Sequence, residues 1–324
     1  MTDGETLQEK LVFRERWRRG GLPSIHPADR IDCANLVMMG SCFARNLMRW
    51  LTYHGQTKED QPWGVLYNPF SILAEVQRLF EDSNWQEYIV AENDSDGKSI
   101  LRDPWRTWQV AATRDQLKVS NAEFDRIARG YISRASGVLF SFGLTEVWSP
   151  RSNPSVVLNQ VPMEAMRAQT DLWYHRFATI DEVRAALSQI VNTVRANVSE
   201  SCPILFTLSP VPLKYTASRL SIREANNLSK STILVALHEV CARNHGVTYF
   251  PSFEIVQALV ERDWAVWQAD GRHVTSAVVD LIARVFMDNY HVGELTNSSS
   301  KFWVPRVDEY GRVVGKLYVD GTSE

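Results

Sequence analysis

Apolar residues along the chain gather into short unbroken runs, separated by stretches with helical spacing. Leu36-Val37-Met38-Met39 is such a run, and it stops at Gly40. A run without polar alternation predicts a strand covered on both faces. Phe43, Leu47 and Leu51 then recur every four residues, so a helix is expected to start almost at once. The arrangement repeats at Val138-Leu139-Phe140 before Phe142-Gly143, at Ile204-Leu205-Phe206 before Ser209-Pro210, and at Val247-Thr248-Tyr249-Phe250 before Pro251-Ser252. Helical patterns precede these runs, over Phe124 to Arg134, Ile180 to Val198 and Asn227 to Asn244. Short apolar strands alternating with amphipathic helices predict a parallel sheet with helices on both faces. Ligands bind beyond the carboxyl ends of such strands, so residues just after Met39, Phe142, Leu208 and Phe250 are expected to face one cleft.

Two stretches break the rhythm. Residues near 82–120 carry Asn93-Asp94-Ser95-Asp96-Gly97 and then Trp105 and Trp108 beside Arg102 and Arg106. Residues near 150–178 are also irregular. Both read as insertions over the cleft in a domain spanning 34–290. Residues 1–33, with Gly20-Gly21, Pro23 and Pro27, read as an arm. Residues 291–324 read as an extension with a polar linker at Asn297 to Ser300 and a hairpin around Tyr310-Gly311-Arg312.

Composition narrows the partners. A chain of 324 residues with a formal net charge of -3 gives no general electrostatic reason to bind nucleic acid or an anionic membrane. No apolar run approaches the ~20 residues that span a bilayer, and no signal-peptide pattern follows Met1, so a cytoplasmic location is expected. Cys33, Cys42, Cys202 and Cys241 lie far apart, with no C-x-x-C and no histidine at metal-ligand spacing. Neither metal nor cofactor is expected, and Cys33, Cys202 and Cys241 read as buried small hydrophobes. His175, His238 and His245 read as structural, and most of the eleven tryptophans as core or lid packing.

Gly40-Ser41-Cys42-Phe43-Ala44 lies where a buried strand turns into a helix. A nucleophile suits such a turn, because a helix N-terminus offers N–H groups to a developing oxyanion. Taken alone, Gly40 eases a turn and Ser41 caps a helix. Asp270-Gly271-Arg272-His273 sets a carboxylate and an imidazole three residues apart before a helix striped with Val278, Val279, Ile282, Val285 and Phe286. The Asp can accept from one ring nitrogen while the other serves a nucleophile.

Together these pieces resemble the SGNH hydrolases, which carry a G-D-S turn after the first strand and a D-x-x-H before the last helix. More specifically the chain is similar to the GSCFA family, named for the pentapeptide at 40–44. Further matches are Tyr67-Asn68-Pro69-Phe70-Ser71, Phe142-Gly143-Leu144-Thr145-Glu146-Val147-Trp148, Phe206-Thr207-Leu208-Ser209-Pro210-Val211-Pro212, Asn227-Leu228-Ser229-Lys230 and Tyr249-Phe250-Pro251-Ser252-Phe253-Glu254. A gapless overlay on Gly-Asp-Ser-Leu puts Cys42 at the nucleophile position, and a one-residue slip keeps Ser41 there. The SGNH G-x-N-D block becomes Gly143-Leu144-Thr145-Glu146, without its amide donor. Asn68 or Thr145 is then the expected replacement, with Gly64 giving a backbone N–H and Glu146 orienting a neighbour. Glu254, Lys230 and Asn227 fall in family-like stretches, where a helix cap or an internal ion pair explains each as well as substrate contact does.

The resemblance implies a three-layer α/β/α fold with a flavodoxin-like parallel sheet of about five strands. It also implies acyl transfer through Cys42 or Ser41 with His273 and Asp270, on a small-molecule or glycan acyl substrate. Hydrolysis of an ester is the first expectation. An acyltransferase acting toward a glycan hydroxyl or metabolite amine, and a binding module without chemistry, are the alternatives.

Overall fold

The computed structural model describes residues 23, 25, 30–57, 61–81, 83–93, 96–161, 170–261, 265–292, 303–307 and 313–318. In chain order the elements are β1 (Leu36–Gly40), α1 (Cys42–Tyr53), α2 (Pro69–Arg78), β2 (Val90–Asn93), β3 (Ser99–Arg102), β4 (Val110–Ala111) and α3 (Arg114–Ile132). They continue with β5 (Gly137–Phe142), β6 (Glu146–Pro150), β7 (Trp173–Phe177), α4 (Ile180–Asn197), β8 (Ile204–Leu208) and α5 (Ile222–Arg243). The last are β9 (Val247–Tyr249), α6 (Ser252–Val260), α7 (Ser276–Tyr290), β10 (Trp303–Val307) and β11 (Val313–Tyr318).

Every residue of β1, β5 and β8 is buried, which is why these strands read as unbroken apolar runs. They form a parallel sheet in the order β1-β5-β8-β9, with Leu36 opposite Gly137, Val138 opposite Ile204, and Ile204 opposite Val247. Side chains alternate between its faces. Val37, Met39, Val138, Phe140, Ile204 and Phe206 pack with α2, α3, α4 and α5. Leu36, Met38, Leu139 and Leu205 pack with α1, α6 and α7. The result is the expected three-layer α/β/α arrangement. Burial of each large apolar side chain contributes about 1.5–3 kcal/mol, so both faces are secured many times over.

The sheet has four strands among the described residues where about five were expected. Beside β1 the fifth position holds a single parallel bridge, Gly40 to Val65, with the Leu66 N–H donating to the Gly40 carbonyl at 2.8 Å. Pro62 lacks a donor before it, and Asn68-Pro69 starts α2 straight after it. The segment is therefore too short to ladder further.

Residues 90–111 form a separate antiparallel sheet, β2-β3-β4, and β6 pairs with β7 antiparallel, Glu146 opposite Phe177. A buried polar network joins the first of these sheets to α2 and α3. Arg106 donates to Glu75 at 2.7 Å, pairs with Asp125 at 2.6 Å, and reaches Asn121 at 3.1 Å. Arg78 donates to Asp103 at 2.8 Å, while Asp103 accepts the Trp105 and Arg106 N–H groups. Burying so many charges is tolerable only because each finds partners.

The arm at 1–33 falls mostly outside the described residues, as do Asn297 to Ser300 and Tyr310-Gly311-Arg312. The strands around that last triplet, β10 and β11, pair antiparallel. No helix among the described residues is long and apolar enough to cross a membrane.

Candidate functional site

The β1–α1 turn is set by Gly40. Its φ of +128° is unfavourable for residues with a side chain, and a Cβ there would lie 2.1 Å from the Ser141 carbonyl oxygen of β5. The chain therefore passes directly against β5 before α1 begins. Ser41 is the N-cap residue of α1, yet its side chain caps nothing. Its N–H donates to the Ser141 carbonyl at 3.1 Å and its hydroxyl lies 2.7 Å from the Ser141 hydroxyl, both side chains buried. Cys42 follows as the first residue of the helix and is half-buried.

From the opposite end of the chain, a turn at Gly271 with φ +66° brings Asp270 back onto His273. Asp270 accepts the N–H groups of Arg272 and His273, each at 3.0 Å, and its other oxygen lies 2.5 Å from His273 Nδ1. Burial pushes the Asp270 carboxyl up, but the His273 hydrogen bond and those two N–H groups outweigh it and hold the pKa below its ordinary value. Burial likewise works against charge on His273. The Cys42 side chain, through hydrogen bonding and charge, and then Asp270 outweigh it and raise the imidazole above its usual range. His273 is thus joined to Asp270 and Cys42, whereas Ser41 turns to Ser141.

The remaining expected residues have other partners. Asn68, read as an oxyanion donor, caps α2: its oxygen accepts the Ser71 N–H and hydroxyl, its amide donates to the Leu158 carbonyl, and it is fully buried. Thr145 is also fully buried and donates to the Ser229 hydroxyl from both N–H and Oγ1. The Gly143 N–H is taken by the Tyr67 carbonyl at 3.0 Å. Gly64 lies beneath the Trp108 ring, where a Cβ would come within 2.1 Å of it. The Asn68, Thr145 and Gly143 donors are thus spent on the protein itself. Glu146 accepts from Thr216 and the Ala217 N–H and lies 2.6 Å from His175 Nε2. Burial raises its pKa, and the His175 hydrogen bond with the other two overcomes this to leave it lowered.

Several residues at the site carried no functional reading in the sequence. Tyr67 is within electrostatic reach of Cys42, Tyr215, Arg272 and Arg45; burial first, then the charges of Cys42 and Tyr215, push its pKa up to about 12. It therefore keeps its proton at neutral pH. Arg45 stands three residues after Cys42 on α1, hence beside it on the helix surface. Arg272 donates from Nε to the Pro212 carbonyl at 3.1 Å. Lys230, neither a cap nor an ion-pair member, donates to the Ser209 and Val211 carbonyls at 2.7 and 3.0 Å beyond β8. Burial depresses its pKa to about 7, opposed by Cys42 and assisted by Arg272. The Asn227-Leu228-Ser229-Lys230 stretch thus acts through Ser229 on Thr145 and through Lys230 on the loop after β8. Glu254 accepts from the Tyr249 hydroxyl at 2.9 Å and is structural.

The other thiols are harder to ionise than an ordinary cysteine. Burial, with some help from Asp32, raises the Cys33 thiol to about 12, and burial alone raises Cys202 to about 11 and Cys241 to about 12.

Comparison with protein families gives a match over residues 35–286 to the one described as the GSCFA family. A search among curated proteins returned no match.

Proposed function

The chain belongs to the GSCFA family, and from that premise we propose that it transfers acyl groups through a Cys42 thioester, with hydrolysis of a small-molecule or glycan ester as its reaction. The observation that carries the reading is the position of His273, bound to Asp270 through Nδ1 at 2.5 Å and to the Cys42 side chain as its second partner. An imidazole held by a carboxylate beside a cysteine at a helix N-terminus is the arrangement that activates cysteine nucleophiles. The same order of nucleophile turn and D-x-x-H supports a place beside the SGNH esterases.

In this reading the Cys42 proton moves to His273 and the sulfur attacks the acyl carbonyl. The tetrahedral oxyanion accepts from the first-turn N–H groups of α1, which Ser41 leaves uncapped, and from the Tyr67 phenol. The C–O bond to the leaving group breaks, and the alkoxide takes the proton from His273. Water then attacks the thioester, giving up one proton through His273. That proton returns to the departing sulfur, so the products are a carboxylic acid, an alcohol and the original thiol.

The test is turnover of a panel of short-chain p-nitrophenyl esters and thioesters, with and without alcohol and amine acceptors. Cys42→Ala and His273→Ala should each lose at least about a hundredfold in kcat/KM. Ser41→Ala should keep most of it. Release that depends on an added acceptor would identify a transferase. Failure of the folded wild type on every substrate would count against acyl chemistry.

A further inference from the structure

A cavity of about 190 Å³ lies between β1, α1 and the 61–64 segment, at the edge of the sheet where the fifth strand is reduced to one bridge. Met38, Met48, Trp63 and Trp108 give it apolar walls, Gly64 lets the Trp108 ring lie close, and Arg45 contributes a guanidinium. Arg45 has no carboxylate partner among the described residues and lies one helical turn from Cys42. Arg272, next to His273 in the chain, uses its Nε on Pro212 and likewise has no carboxylate partner among the described residues. Both act on the Tyr67 phenol, as does Cys42. Among the described residues, the carboxylates of Asp270 and Glu146 are already engaged, Asp270 by His273 and Glu146 by His175, Thr216 and Ala217. Among the described residues, the charged groups left without an ion-pair partner around the thiol are therefore guanidinium groups, in a setting that also offers a small cavity with both apolar and polar lining.

We propose that the substrate carries an anionic group, carboxylate or phosphate, recognised by Arg45 and Arg272 near Cys42, with its acyl part seated in the cavity beside Arg45. This rests on the Cys42 reading above and adds the class of substrate to it. A guanidinium fork suits either anion, and its reach across an apolar wall selects a short acyl chain ending in a charge over a long neutral one.

Paired alkylating reagents test it without needing turnover. The full-length protein is treated with iodoacetate or iodoacetamide, and the rate at Cys42 is followed by peptide mass spectrometry. The iodoacetate-to-iodoacetamide ratio should exceed that of the urea-unfolded chain by about fivefold at low salt and fall as salt is added. Arg45→Ala and Arg272→Ala should each lower the ratio, and Arg45→Lys should retain part of it. Labelling by both reagents at the unfolded chain's ratio, unmoved by these variants, overturns this inference and leaves the nucleophile reading intact. No labelling of Cys42 by either reagent overturns both. With turnover in hand, p-nitrophenyl hydrogen succinate preferred over the acetate ester places the charge on the acyl part, and acetyl phosphate preferred over both places it on the carrier. Equal use of all three contradicts anion recognition.

Discussion

The hydroxyl of Ser41 lies 2.7 Å from that of Ser141, one hundred residues later on the neighbouring strand, and both side chains are buried. This pairing decides how the turn presents its two candidate nucleophiles. Ser41 faces the sheet and spends its hydroxyl there, so the next residue opens the helix and meets His273.

Ser41→Ala should therefore cost about 1 kcal/mol, the worth of one buried hydrogen bond with a partner left behind, and spare the reaction. Urea denaturation reads the loss, and the rate of Cys42 alkylation should stay within about twofold of wild type. A fully stable Ser41→Ala protein with an unreactive Cys42 would contradict this division of labour.

The Asp270–His273 pair gives a pH signature. The His273 pKa is raised in the folded chain, so its stabilising contribution is complete below the unfolded value of about 6.5 and is lost as pH rises through the folded one. The Asp270 pKa is lowered, so its contribution is present above the ordinary carboxylate value and is lost as pH falls through the folded one. The pair therefore stabilises most in mildly acidic solution. NMR titration should show His273 above the ordinary histidine range in wild type and lower in Asp270→Asn. An unchanged His273 titration in that variant would refute the coupling.

Lys230 supplies a dependence of opposite sense. Its folded pKa of about 7 lies below the usual lysine value, so across the interval up to about 10.5 the unfolded chain binds more protons. Its contribution to stability thus rises with pH over that interval. Lys230→Met removes this rise and leaves the Ser209 and Val211 carbonyls without their donor. Melting curves between pH 7 and about pH 10 should show a flatter profile for the variant; a parallel profile would mean that the lysine stays charged throughout.

Arg106 is the test of how the β2-β3-β4 insertion is held. Arg106→Met strands Glu75 with no cation and leaves Asn121 and Asp125 short of a donor, so a loss of about 3–5 kcal/mol is expected. Limited proteolysis should then cut within residues 90–111 before the central sheet. Resistance equal to wild type would show that packing alone holds the insertion.

How much of this was legible in the sequence depended on whether the deciding contact was local. The strands were legible because burial on both faces leaves unbroken apolar runs such as Leu36 to Met39. Helix α5 begins at Ile222, five residues before the apolar spacing implied, because Ser221 and Glu224 form a capping box that outweighs an indistinct apolar stripe. A similar box at Thr179 and Glu182 starts α4 where expected. The Asp270–His273 pairing was legible because it closes within one turn. The orientation of Ser41 was not, since it depends on Ser141. Asn68 read as a donor to the cleft because the Pro69 that makes it a helix cap says nothing about which way its amide points. Tyr67 and Lys230 lay in family-like stretches without a settled role, and Arg45 and Arg272 gave no signal of their own; the sheet collects all four from separate segments.

The central claim is that Cys42 carries the acyl group. Intact-protein mass spectrometry after brief mixing with an activated acyl ester at low temperature, followed by peptide mapping, tests it most directly. The account predicts a single acyl addition on Cys42, absent from Cys42→Ala and slowed in His273→Ala. An adduct on Ser41, or undiminished acylation of the Cys42→Ala protein, would contradict it.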